Sequence, residues 1–293
     1  MDSFLEIFDV YLLEAMLSGV LLGGVLALLA LGLNLIFGVI DVTWICYAEL
    51  IMIGMYGMYY LVSYYHLPYW GAAPIAILLV AGLGALLHFL VIEPLLSAPP
   101  INQLLATGGL LFFIQSAATL LWSTDHRSIR VNMPTIEIGG IFVSFTRLLA
   151  FALAILAMVA LYFFLTRTYT GTAIRAVSQD REAIALMGAR PQRLYLVTSA
   201  VGGAMAGVAG ALLIIQYAVH PYFGGAFGPL TFMICVLGGL GNMVGAFFAA
   251  FIMAQVISVG GVIVSTEMGY VIAFVIFIVL MFVRPGGIFA RRA

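Results

Sequence analysis

Between Arg193 and Glu267 the chain carries no Asp, Glu, Lys or Arg. Residues 148–166 and 50–92 are equally free of them, and so are residues 15–40. A hydrated surface cannot be built from such runs. A helix crossing a bilayer needs about 20 apolar residues, and each run supplies one such segment or more. The backbone must then satisfy its own hydrogen bonds, which leaves helices or a closed barrel. The runs are unbroken apolar stretches without strand alternation, so the reading is an all-α polytopic bundle. Composition agrees: 8% of the residues are charged, 65% are hydrophobic and the mean hydropathy is +1.20, against about 25% charged in a soluble domain.

The charges divide the chain into spans. Residues 15–40 make the first, closed by Asp41, with IDVTW (40–44) reading as a tight turn. Residues 50–92 divide at YYHLPYWG (64–71) into spans near 45–63 and 71–92. EPLLSAPPI (93–101) breaks the chain with three prolines, and 102–122 is the fourth span. The alternation in SIRVNMPTIEIGGIFVSF (128–145) predicts short strands before a fifth span at 147–166. Residues 194–217, 243–260 and 268–283 follow as spans. Residues 230–240 are apolar but too short to cross alone. Segment 226–241 is therefore a tilted crossing or a re-entrant half-helix, giving eight to nine membrane elements in a single domain, 1–293. Gly202, Ala206 and Gly210, and Gly203 with Gly207, repeat at a spacing that lets helices approach closely in lipid.

Thr166–Leu194 interrupts this pattern. It holds five of the eleven basic residues, all arginine, since the chain lacks lysine. Such an island between apolar runs sits in water, and basic loops are retained on the cytoplasmic side. With Arg284, Arg291 and Arg292 also inside and Arg127, Arg130 and Arg147 outside, five crossings precede the island. The acidic N-terminus is then outside and the C-terminus cytoplasmic. That terminus lacks the basic region of a signal peptide, so it is expected to stay in the mature chain. A short helix is predicted over 179–187. Ser178 would be its N-cap, Asp180 and Glu182 would lie near its start, and Gly188 would end it. Ala183, Ile184, Leu186 and Met187 give it an apolar face with no transmembrane core to fill, which suits docking to a soluble partner.

Nucleotide-hydrolysis, zinc-peptidase, CxxC and GxSxG motifs do not occur in the sequence. Cys46 and Cys235 fall in apolar runs and read as buried packing residues, so no metal and no cofactor is expected. His66, His126 and His220 read as loop residues and His88 as a hydrogen-bonded packing residue. Polar groups inside or beside the spans are costly to bury and mark candidate sites: Asn34, Asp41, Glu49, Glu93, Asn102, Gln103, Gln115, Gln216, Asn242 and Gln255. Glu49 stands out, just inside a span and flanked by Trp44 and Tyr47.

Four collinear stretches carry a resemblance. GLNLIFGVIDV (32–42) with AELIMIGMY (48–56), TGTAIRAVSQDREAIALMG (170–188), VLGGLGNMVGA (236–246) and RPGGIF (284–289) resemble the signatures of branched-chain amino-acid ABC importer permeases, the LivH type. The resemblance implies a permease subunit translocating branched-chain amino acids or a related amide, urea or organic acid. It implies two cytoplasmic ATP-binding subunits, a second permease and an external binding protein, in a bacterial inner membrane. It also implies that 167–193 is the ATPase-coupling loop. Ser178, Asp180, Arg181, Glu182, Ala183, Leu186, Met187 and Gly188 would be its contact residues, with Glu182, Ala183 and Gly188 matching the family's coupling motif. The protein itself would perform no enzymatic chemistry. Asn34, Trp44, Tyr47 and Glu49 would line the substrate pathway. Where the family commonly reads VINFAHGE, this chain reads VTWICYAE (42–49), so the polarity and volume of that turn differ. The competing reading is an ion-coupled secondary transporter using a buried carboxylate such as Glu49.

Overall fold

The computed structural model describes residues 2–129, 135–138, 141–284 and 286–289, without the side chains of 2–10, 135–138, 141–143 and Glu182. Twelve helices are named here in chain order: α1 Asp2–Ile40, α2 Tyr47–Ser63, α3 Tyr69–Leu87, α4 Glu93–Leu95, α5 Pro100–Trp122, α6 Phe145–Arg167, α7 Tyr169–Val177, α8 Arg181–Leu186, α9 Pro191–Leu213, α10 Phe223–Gly238, α11 Met243–Ile263 and α12 Thr266–Val283. Two antiparallel strands, β1 Thr135–Ile138 and β2 Ile141–Ser144, pair in the register Thr135↔Ser144 as the alternation predicts. Arg130, Arg291 and Arg292, used above to assign the two faces, lie outside the described residues, as does Pro285 of the RPGGIF stretch.

Seven of these segments are long and apolar enough to cross a membrane, α3 and α4 counting as one continuous segment Tyr69–Leu95. The chain breaks inside 93–101 as the sequence suggests, at residues 96–99, with Pro99 and Pro100 opening α5, but Pro94 itself does not end the preceding helix. A π turn, His88–Ile92, widens the helix just before Pro94, so the missing N–H and the bulky ring are accommodated at the start of α4. The two remaining membrane elements are short. α2 has 17 residues and α10 has 16, about 26 and 24 Å at 1.5 Å per residue, less than the ~30 Å hydrocarbon core.

α1 is the centre of the bundle. Its run Val25–Ala30 is wholly buried, and it packs against α11, α9, α6 and α10. α5 and α12 are peripheral and keep large apolar side chains such as Phe112, Leu120 and Phe282 on the outside, as lipid-facing helices do. The small-residue repeats of α9 lie at backbone contacts. A Cβ added at Gly207 would lie 3.0 Å from Ile77 Cα, and one at Gly210 would lie 2.7 Å from the Ile51 carbonyl oxygen.

The contacts fix which segments share an end. Ser258 and Gln255 of α11 donate to the Ala15 and Met16 carbonyls near the start of α1. The rings of His126 and His220 lie 4.7 Å apart, and Arg127 pairs with Val219 in an isolated bridge. The start of α10 therefore belongs to the end holding residues 123–129. Its other end meets Asn34 and Gly38 near the end of α1. α10 thus runs from one end toward the other rather than turning back. Island, α10–α11 turn and tail 284–289 lie together, as the arginine pattern requires.

Two local expectations are corrected. IDVTW is not a tight turn. Asp41 takes a left-handed φ of 62°, and residues 41–46 climb from the island end into the bundle. Asp41 lies beside Arg181, the Thr43 carbonyl accepts from Thr107, seven residues into α5, and the Tyr47 hydroxyl donates to Gly202 in mid-α9. The island also holds two helices rather than one. α7 is capped by Thr168, whose hydroxyl accepts from Gly171 N–H at 3.0 Å. Ser178 is not an N-cap; it closes α7, donating to the Arg175 carbonyl at 2.7 Å. Asp180 caps α8, accepting from Ala183 N–H at 3.0 Å. The hydroxyl of Ser178 is consumed by the preceding helix, so the next acidic residue takes the cap.

Candidate functional site

Residues 32–42 and the other three stretches that carry the family resemblance are far apart in sequence and meet at one end of the bundle, while 48–56 runs inside it as part of α2. Gly38 approaches Gly241 so closely that a Cβ on Gly38 would lie 2.8 Å from Gly241 Cα. Asn34 Oδ1 accepts from Gly241 N–H at 2.7 Å, and its Nδ2 faces the Gly239 carbonyl at 3.5 Å. Asn242 caps α11 through Gly245 N–H and donates to the Phe289 carbonyl at 2.7 Å. Ile288 N–H donates to the Leu237 carbonyl. Gly239, Gly241 and Gly287 all have left-handed φ, which glycine adopts without steric penalty. An open groove of about 990 Å³ runs across this junction, lined by Gly38, Asp41, Arg181, Gly241, Asn242 and Phe289 among others.

Arg181 ties the island to α1. Its guanidinium donates to the Ile40 carbonyl at 3.2 Å, lies 3.8 Å from Asp41 Oδ2 and sits over the Tyr195 ring at 5.8 Å. Ile184 is half-buried against the core, while the other apolar side chains of α8 and the residue after it turn outward. Ala183 is exposed, Leu186 is 89% exposed and Met187 86% exposed. Gly188 has φ +83° and ends the helix, as its position predicts. The side chain of Glu182 lies outside the described residues.

The second place where polar groups collect is inside the bundle. Residues 41–46 deliver Trp44, Tyr47 and Glu49 to one region, all fully or almost fully buried. Trp44 and Tyr47 line a pocket of about 310 Å³ between α1, α2, α5 and α10, with Leu33, Leu111, Gln115 and Gly224. Glu49 does not line it but packs against two residues that do, Gln115 and Gly224. Gln115 donates to Glu49 Oε1 at 2.9 Å, while Glu49 Oε2 and Trp44 Nε1 have no hydrogen-bond partner among the described residues. An unmet buried polar group costs about 1–3 kcal/mol, and more when charged. Gly224 is what lets the carboxylate fit, since a Cβ there would lie 2.6 Å from Glu49 Cδ.

The sequence reading grouped Asn34 with these three residues. The structure places it apart from them, clasping the α10–α11 turn. Replacing Asn34 by Leu keeps the volume but strips the Gly241 N–H of its acceptor. We expect Asn34→Leu to lower the unfolding midpoint in detergent by the loss of about 1–3 kcal/mol. Asn34→Asp keeps the acceptor and should cost less. Equal midpoints for Asn34→Leu and the parent would show that the clasp contributes nothing.

Gln115 and Gly224 complete the interior cluster. Gln115 was one polar residue among ten in the sequence, and nothing tied it to a glutamate 66 positions away. Gly224 gave no signal, being one glycine of a loop. His88 behaves as expected, its Nδ1 lying 3.0 Å from Ser199 Oγ.

A family model described as the permease component of the branched-chain amino acid transport system matches residues 15–281. The high-affinity branched-chain amino acid transport system permease protein LivH of Salmonella typhimurium is 30% identical, over 96% of each chain. The corresponding BraD protein of Pseudomonas aeruginosa is 26% identical, over 95% of this chain and 96% of its own. The LivM permease of Escherichia coli is 27% identical over 77% of this chain and 59% of its own. No solved structure matches. With the signature stretches converging on one junction and the match spanning nearly all the transmembrane helices, the chain belongs to the family of branched-chain amino-acid transport system permease components.

Proposed function

We propose that the chain is the membrane-spanning subunit of an ABC importer in a bacterial inner membrane, carrying a branched-chain amino acid or a related small polar solute. It works with a second permease, two cytoplasmic ATP-binding subunits and an external binding protein. ATP hydrolysis belongs to the separate subunits. The observation that carries this is α8, a capped helix that turns Leu186 and the following Met187 outward beside the junction of the signature stretches. Leu186 and Met187 fill no core of this chain, and exposed apolar side chains on a short rigid helix suit a groove on a soluble partner. Force applied there reaches Ile40 and Asp41 through Arg181. From there it reaches the climbing segment that holds Trp44, Tyr47 and Glu49, which line the solute's path. Asn34 steadies that path by holding the α10–α11 turn. Membership in this family speaks against an ion-coupled secondary transporter.

The test is reconstitution with the ATPases, partner permease and binding protein. Leucine uptake should require ATP and survive collapse of ion gradients. Uptake driven by a gradient without ATP would overturn the reading. Orientation is tested separately. A cysteine replacing Tyr65, in the exposed α2–α3 loop, should react with an impermeant reagent in sealed cells. One replacing Arg181 should react only after permeabilisation. Labelling of the Arg181 variant from outside would reverse the topology.

A further inference from the structure

We infer that the cleft between α6 and α11 binds one phospholipid with an anionic head, its phosphate held by Arg175 and an acyl chain lying between the two helices. This site is separate from the interior pocket beside Trp44 and does not depend on which solute is carried. Away from the island, α6 and α11 touch. The rings of Phe151 and Phe251 lie 6.4 Å apart, edge to face, over Gly23 and Gly24 of α1, where an added Cβ would strike them. One turn nearer the island the helices leave a cleft of about 330 Å³ with Leu31 of α1 at its base. It reaches from Ile155 and Phe247 to Leu165 and Met243, and its lining side chains are apolar but for the Tyr162 hydroxyl. Its rim is open to the side, where Tyr162 and Val244 are exposed. Ile155 to Leu165 spans about 15 Å at 1.5 Å per residue, half of the ~30 Å hydrocarbon core. Leu165 lies two residues from the end of α6 at Arg167, so the cleft is as long as one leaflet is deep and is closed by the aromatic pair near the midplane.

At its island end the cleft continues into a second chamber of about 200 Å³, with Leu165 and Met243 in the walls of both. This chamber is polar where the cleft is not, lined by Asn34, Arg175, Ser178 and Gln179 among others. No hydrogen bond or ion pair occupies the Arg175 guanidinium among the described residues, and none of the described carboxylates lines the chamber. A cation without a counter-ion, set over an apolar slot of leaflet depth, is matched by a phosphate diester and its acyl chain. The guanidinium fork suits two phosphate oxygens, and basic pockets between membrane helices recognise lipid heads in this way. A choline or ethanolamine head would bring a second cation that the chamber cannot pair and that Arg175 repels. An apolar helix of another subunit would fill the cleft but leave Arg175 unpaired. The leaflet is the one on the island side, cytoplasmic under the topology proposed above. A head bound there ties α7 to α1 and α11 beside the Asn34 clasp.

The experiment places a fluorophore on the rim of the cleft. The full chain carrying Tyr162→Cys is labelled with bimane and reconstituted in phosphatidylcholine vesicles. The parent, whose Cys46 and Cys235 are buried, gives the background. Quenching is followed as phospholipid bearing a nitroxide on its acyl chain is added. Spin-labelled phosphatidylglycerol should reach half-maximal quenching at a mole fraction roughly fivefold below that of spin-labelled phosphatidylcholine, the advantage one arginine gives with an anionic lipid. Arg175→Gln should remove that difference. Bimane on Phe112→Cys, at an exposed position of α5, should be quenched equally by both lipids. Soluble glycerol phosphate should displace nothing, because the chain and the head bind together. Equal half-points for the two lipids at position 162 would make the cleft ordinary lipid-facing surface, and quenching by neither would mean that protein covers it. Either result overturns the site. So does a preference that survives Arg175→Gln, one that recurs at position 112, or displacement by glycerol phosphate. The comparison of lipids needs no substitution in the polar chamber, so a variant that fails to fold does not blunt it.

Discussion

Gly188→Val and Ala183→Asp are each expected to leave the permease inserted in the membrane and release the ATPase. At Gly188 the backbone has φ +83° and an added Cβ would meet nothing within 4 Å. The cost of a side chain is therefore conformational and not a clash. The left-handed region costs an L-residue roughly 1–2 kcal/mol, and a β-branched one is the worst placed to bear it. Gly188 and Ala189 close the helix by donating to the Ala185 and Ile184 carbonyls, and Pro191 begins α9 directly afterwards. If the chain relieves its strain by leaving φ > 0, Leu186 and Met187 point elsewhere. Strain of ~1–2 kcal/mol set against assembly corresponds to roughly tenfold less ATPase retained. Ala183 is exposed on the same helix, and an aspartate there puts a charge on the docking face beside Asp180. The measurements are co-purification of the ATPase and its hydrolysis stimulated by loaded binding protein. Gly188→Asn, which tolerates the left-handed region, should retain most of both. Wild-type assembly and stimulation in both damaging variants would reduce the island to a loop that sets topology.

Gly203→Leu is expected to prevent stable packing of α3 on α9. A Cβ at 203 would lie 2.7 Å from the Val80 carbonyl oxygen and 3.3 Å from both Ala81 Cα and Gly84 Cα. All three are backbone atoms. No side chain can rotate away, so the helices must separate along their whole contact. Overpacking against side chains typically costs about 1–3 kcal/mol, and a backbone collision should exceed that. Separation would also strip dispersion contacts from Gly84 and Gly207, which lie in the same seam. Little monodisperse protein should be recovered after detergent extraction. Gly82→Leu, at a position where an added Cβ meets nothing within 4 Å, should behave as the parent. Parental yield and melting for Gly203→Leu would show that the small-residue stripe is not a packing seam.

By itself the sequence determined the class, the spans and the relative placement of the charged loops. These follow from transfer of charged and apolar groups between water and lipid, which each run of about 20 residues settles without its neighbours. Island and tail could be assigned to one end because arginine reports side, whereas the α10–α11 turn joined them only once α10 was seen to run from one end toward the other. The end of α8 was legible because a left-handed turn needs a residue like Gly188. The tertiary structure alone decided what depends on contact between distant segments. Asp41 reads as a helix stop, yet residues 41–46 climb inward because Thr107 and Gly202 receive them. Ser178 and Asp180 are both good caps, and the hydrogen bond to Arg175 chose between them. Asn34 and Glu49 are alike as buried polar residues of apolar helices. One meets a peptide N–H just past the end of α10 and the other an amide side chain of α5 beside the start of α10. Hydropathy is a property of a residue and its near neighbours, whereas the partner of a buried polar atom is set by the packing of whole helices, which no local pattern encodes.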